Sequence, residues 1–133
     1  MSMVSIQAFA DWDTYNSVKV DGFYYYLDED NHQAQLTWSR EGKYSGDIVI
    51  PVDITYNRKV YSVTSIGKEA FSNCTDLISV TIPNSVTHID KNSFEECSLT
   101  SITIPNSVKS IGEDAFYYCR DLTTGRSPRT YRP

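Results

Sequence analysis

The residues in this 133-residue chain that most readily do chemistry are three cysteines and two histidines. Cys74, Cys97 and Cys119 recur at intervals of 23 and 22 residues, while His32 and His88 stand far apart. A catalytic thiol needs a neighbouring base or cation to lower its pKa. A structural zinc ion needs paired Cys or His at short ligand spacing. Neither pattern occurs. A glycine-rich phosphate loop, HExxH and GxSxG are absent as well. The acidic run Asp28-Glu29-Asp30 next to His32 lacks the alternating ligand spacing of a calcium loop, and it reads as a solvated hairpin tip. No catalytic, metal or cofactor site is therefore expected, and the chain is expected not to be an enzyme.

The cysteine spacing says more about architecture than about reactivity. Phe71, Phe94 and Phe116 repeat at the same 23 and 22, and so do Ile66, Ile89 and Ile111. A fixed period in the twenties marks one supersecondary unit stacked on copies of itself, a solenoid. Each cysteine sits three residues after the repeat phenylalanine. Stacked equivalents point the same way, whereas a disulfide needs converging side chains. The three are expected to be buried reduced thiols acting as small apolar fillers.

Each unit carries two strand-like parts. The first is L-x-x-I-x-I-P, with Val80, Ile82, Ile102 and Ile104 inward by period-two alternation and Ser79, Thr81, Ser101 and Thr103 outward. Ile48 and Ile50 fill the inward slots of the first copy, with Asp47 and Val49 outward. The second part is V-x-x-I, followed by Gly67, Asp90 or Gly112, where a bend at positive φ is expected. KEAF, KNSF and EDAF then predict a short helical turn that drops the phenylalanine inward. His88 falls at an outward slot whose counterparts are Ser65 and Ser110.

The first copy carries nine extra residues, roughly DITYNRKVY, with Tyr56, Asn57, Arg58 and Lys59 at the tip of a predicted small hairpin. Upstream, VDGFYYYL and AQLTWSR predict two antiparallel strands that cover the first repeat. Tyr24, Tyr25 and Tyr26 are consecutive, so at least one is expected to face solvent. The expected organisation is an N-terminal segment with a β-hairpin cap over 1–46, the repeats over 47–122, and a basic tail over 123–133.

Net charge is −5. Residues 120–133 hold four arginines against one acid, which leaves the rest at −8. An acidic body argues against nucleic acid as a partner, because a phosphate track needs clustered bases. No run of 18 apolar residues exists, so no membrane insertion is expected. Ala8-Phe9-Ala10 fits a signal-peptidase site, but the apolar segment before it is short and no base precedes it. Both an export remnant and an ordinary start remain open.

LTSITIPNSVKSIGEDAFYYC, residues 99–119, resembles the BspA-type (Treponema-type) leucine-rich repeat pattern at every defined position. The middle copy departs from it at Asp90 and Ser93. The resemblance covers about residues 47–122. It implies a β-rich, short right-handed leucine-rich-repeat solenoid of about three 22–23-residue repeats with short helical turns and an N-terminal antiparallel β cap. It also implies a secreted or cell-surface protein of a host-associated bacterium, linked to adhesion and to protein or glycan partners, with no shared catalytic residues. The expected function is a non-enzymatic binding module whose candidate contacts are Ser79, Thr81, Ser101 and Thr103 plus the tip Tyr56, Asn57, Arg58 and Lys59. The alternative is a structural segment of a longer or self-associating array, joined through an uncapped C-terminal end.

Overall fold

The computed structural model describes residues 16–125. The export-like start, and Arg126, Arg129 and Arg132 of the basic tail, lie outside the described residues. The first strands among the described residues are β1 (Val18–Val20) and β2 (Phe23–Asp28), joined through Asp21-Gly22. Both turn residues have positive φ, 48° and 88°, which suits the twist of a two-residue hairpin. Strand β3 (Gln33–Thr37) continues the antiparallel run, with Tyr25 opposite Leu36.

From β3 onward the pairing between units becomes parallel, and each repeat places one strand in each of two sheets. Strands β6 (Lys59–Ile66), β8 (His88–Ile89) and β10 (Ser110–Ile111) extend the first sheet in the order β1-β2-β3-β6-β8-β10. Strands β4 (Gly46–Val49), β7 (Leu77–Thr81), β9 (Ser101–Thr103) and β11 (Thr124–Gly125) form the second, all parallel. Registers lay each repeat position on its own equivalent: Ile66 on Ile89 on Ile111, and Ile48 on Val80 on Ile102. The nine-residue insertion forms strand β5 (Asp53–Tyr56), the Asn57-Arg58 turn and the start of β6, which returns antiparallel along β5.

Between the sheets runs a column of aromatic rings. Phe71, Phe94 and Phe116 stack face to face at 5.0 and 5.1 Å with interplanar angles of 4° and 2°. Tyr44 extends the column at 5.1 Å from Phe71, and Phe23 follows at 5.5 Å. Cys74, Cys97 and Cys119 are buried beside it as free thiols. Cys97 Sγ donates to the Phe71 carbonyl at 2.8 Å, and Cys119 Sγ to that of Phe94 at 2.9 Å. All three are buried, and Cys97 and Cys119 also tie their rungs to the one before.

Three expectations are corrected. The predicted helical turns are not helices. A helix needs consecutive right-handed residues whose N–H groups bond within the segment. Here the N–H of Glu69, Phe71 and Asn73 donates sideways to Lys91, Ser93 and Glu95 of the next rung, while Ala70, Ser72 and Cys74 close local turns. Two left-handed residues per rung make this possible: Glu69 and Asn73, Asn92 and Glu96, Asp114 and Tyr118, with φ of 56–60°.

The second correction concerns Gly67 and Gly112, which lie outside the left-handed region; the bend comes two residues later. Their role is closeness. A Cβ on Gly67 would lie 2.8 Å from Gln35 Oε1, and one on Gly112 would lie 2.5 Å from the Lys91 backbone nitrogen. The third concerns the tyrosine run: Tyr24, Tyr25 and Tyr26 are all buried. The second face of β2 is covered too, with Arg40 and Lys19 lying over the Tyr24 ring.

The column generates a paired prediction. Phe94→Ala removes a ring stacked on both sides and should lower unfolding stability by about 3–5 kcal/mol. Ser93 occupies the slot that Ala70 and Ala115 fill in the other rungs, and its buried hydroxyl has no partner among the described residues. Ser93→Ala should be neutral or stabilising by up to ~1 kcal/mol. Urea unfolding of the two variants measures both.

Candidate functional site

The second sheet puts the four candidate hydroxyl residues into two rows. Ser79 is the register partner of Ser101, and Thr81 of Thr103. The first copy extends both rows, with Asp47 beside Ser79 and Val49 beside Thr81. Thr81 and Thr103 are exposed, while Ser79 and Ser101 are half-buried. The Ser79 hydroxyl is already engaged, donating to Asp47 Oδ1 at 2.6 Å. The accessible part of the face is therefore the threonine row, with Val49 at its end 68% exposed. Ile78, on the same strand as Thr81, is 52% exposed. The strand pattern put its core neighbours inward but could not tell how open this position would be.

The insertion tip is a tight hairpin. Tyr56 pairs with Lys59 and Thr55 with Val60. Asn57 and Arg58 form the two-residue turn with φ of 51° and 68°. Asn57, Arg58 and Lys59 are exposed and Tyr56 is half-buried. The tip belongs to the first sheet and the hydroxyl rows to the second, so the fold does not merge the two candidate sets into one paired surface.

The groups considered for chemistry take up structural roles. Asp28 is buried; its Oδ1 accepts from the N–H groups of Asp30 and Asn31, and its Oδ2 from the Asn31 amide. That is a turn cap. His88 is exposed, with Nδ1 2.7 Å from the Thr87 hydroxyl. The Cys97 thiol is held well above the ordinary value, first by its contact with Cys119 and then by burial, and burial raises Cys74. A raised pKa suppresses the thiolate that nucleophilic attack requires.

Sequence reasoning missed Tyr44, which lay in a segment rich in turn residues. Its hydroxyl donates to the Thr37 carbonyl at 2.7 Å and accepts from the Tyr24 N–H at 3.0 Å. Tyr44 thus stands in the phenylalanine column one rung early and ties β2 and the end of β3 to it. The signal available in the sequence was one aromatic residue ahead of the first copy's DIVIP strand.

A β-rich stack in which every 22–23 residues contribute an L-x-x-I-x-I strand, a turn and an inward phenylalanine defines a leucine-rich repeat protein. The family described as BspA type Leucine rich repeat region (6 copies) matches residues 53–132, more than half of the chain. The chain belongs to this family. Among solved structures it is similar to a leucine-rich repeat protein from Bacteroides capillosus, with TM-score 0.58, 26% identity, and coverage of 86% of this chain and 99% of that one. It is similar also to the pneumococcal vaccine antigen PcpA, with TM-score 0.57, 20% identity and coverage of 84% of this chain. The T. pallidum leucine-rich repeat protein aligns with TM-score 0.53 and 22% identity over 81% of this chain and 70% of its own. The chain spans 38% of the length of PcpA. No curated protein matches it.

The buried acids of this core set its pH response. Burial holds Tyr25 and Tyr44 above the tyrosine value of 10.0 and Cys74 above the cysteine value of 9.0. In the unfolded chain these groups ionise at their ordinary values. Above that point the unfolded state binds fewer protons than the folded one, so unfolding free energy falls as pH rises. Tm followed by circular dichroism should decline progressively from about pH 9 to about pH 11, and a constant or rising Tm over that range would contradict the burial of these groups.

Proposed function

We propose that the protein is a non-enzymatic binding module that acts outside the cell, secreted or at the cell surface, and engages a protein or glycan through its repeat face. The accompanying reading of the architecture is a short right-handed solenoid closed at its N-terminal end by the β1–β3 cap. The observation that carries the proposal is the second sheet's outward face. Its threonine row is in register, exposed and flanked by the exposed apolar side chains Val49 and Ile78. Aligned hydroxyls with adjoining apolar surface offer both hydrogen bonds and contact area to a partner. Membership of the BspA-type family supports the extracellular setting, and the roles taken by Asp28, His88, Cys74 and Cys97 support a binding protein over a catalyst. The Tyr56–Lys59 tip is a second contact candidate on a different sheet.

Biolayer interferometry against matrix proteins, mucins and glycans tests this reading. Saturable binding to at least one of them is expected, reduced about tenfold or more by the double variant Thr81→Arg, Thr103→Arg through steric and charge obstruction. Binding that the double variant leaves unchanged removes the face as the site. Absence of binding across the panel overturns the proposal in favour of a structural array segment.

A further inference from the structure

Strand β5 pairs with β6 along one side, and its second edge has no strand beside it among the described residues. The register says which groups that edge presents. Tyr56 and Lys59 flank the two-residue turn, where antiparallel neighbours exchange both backbone bonds. Thr55 and Val60 are then a non-bonded pair, and so are Asp53 and Ser62. Two bonds fix this alternation. The Val63 N–H donates to the Val52 carbonyl at 2.8 Å, whereas the Ser62 N–H turns the other way, to the His32 carbonyl at 2.9 Å. Asp53 and Thr55 therefore direct their N–H and C=O groups away from β6, into the open edge. Both residues are exposed, and neither backbone finds another hydrogen bond among the described residues.

Sheet edges are ordinarily blunted by proline, lysine, a bulge or a covering element. The strand DITY carries neither proline nor lysine. Beside it lies a groove of about 410 Å³, lined by Ile54 and Thr55 of β5, Val20 and Phe23 of the first hairpin, and Val49 and Pro51. Val49 and Val52 are 68% and 57% exposed. Outward N–H and C=O groups on alternate residues match an extended peptide backbone, which repeats with the same period of two, and a sugar has no such alternation. We propose that β5 takes up an extended segment of a protein partner as an added strand, with apolar side chains of that segment packing into the groove. The charges select the ends of the segment. Asp53 begins the strand and Asp21 lines the groove, while Arg58 and Lys59 stand at the other end. A base at one end of the segment and an acid at the other complement both. This contact lies on the first sheet and goes beyond the repeat-face reading, on which it does not depend.

The test is an NMR titration of the full chain with the peptides acetyl-KVTVE-amide and acetyl-EVTVK-amide. Saturable shifts of the Asp53 and Thr55 amide signals are expected, stronger with one of the two sequences, which reports the strand direction. N-methylation of alternate residues in the better peptide should weaken binding at least about five-fold for one alternate set and spare it for the other. Thr55→Pro removes an outward N–H that β6 does not use, so it should keep the native spectrum and weaken binding to a similar degree. Equal loss with both N-methylated sets would reduce the groove to an apolar crevice. Sedimentation velocity on the chain alone should give a monomer; self-association lost in Thr55→Pro would assign the edge to a second copy. Either result, or no saturable shift with either peptide, overturns the proposal. The Thr81→Arg, Thr103→Arg double variant should leave the titration unchanged, so this edge and the repeat face stand or fall separately.

Discussion

Rung-to-rung registration at the phenylalanine turn is the constraint on which the rest of this structure depends. An aromatic ring of each repeat stacks on the next at about 5 Å, which matches the lateral spacing of paired strands. Backbone and ring therefore share one repeat distance. The turn on either side of the ring donates alternate N–H groups to the next rung, so it behaves as a third, irregular ladder beside the two sheets. Left-handed residues, close-packed glycines and inward cysteines all follow from keeping that ladder in step.

Much of this was legible in the sequence. The 23- and 22-residue intervals among Phe, Cys and Ile are the rung spacing written out, and period-two alternation placed Ile82, Ile102 and Ile104 in the core, where they are found. The insertion hairpin was legible too, because Asn57-Arg58 sits between flanking strand residues. Other features were hidden because they depend on neighbours distant in sequence. KEAF reads as helical on local preference, yet lateral bonds to a rung 22 residues away make it a chain of tight turns. Glycine suggests positive φ, but at Gly67 and Gly112 its value lies in the missing Cβ where another rung approaches. Three adjacent tyrosines imply exposure only if one face of the strand is open, and β2 is covered on both.

The candidate sites show the same divide. Strand alternation put Ser79, Thr81, Ser101 and Thr103 on one face, and the fold aligns them in register. It did not foresee that Asp47 would take the Ser79 hydroxyl, nor that the tip would lie on the other sheet. Residues that hold the stack together recur at the repeat period. Residues free to meet a partner sit where the period is interrupted or where the outward slot varies.

Amide hydrogen exchange tests the central claim most directly, because it reads the lateral ladder bond by bond. The amides of Phe71, Asn73, Phe94 and Glu96 donate to Ser93, Glu95, Ala115 and Tyr117 at 2.7–2.8 Å. They should exchange only through global unfolding, as slowly as the central amides of β7, while Asn57 and Arg58 exchange rapidly. If the turn amides instead exchange at the hairpin-tip rate while the sheet amides stay protected, the turn is not a ladder and the stack is held by its two sheets alone.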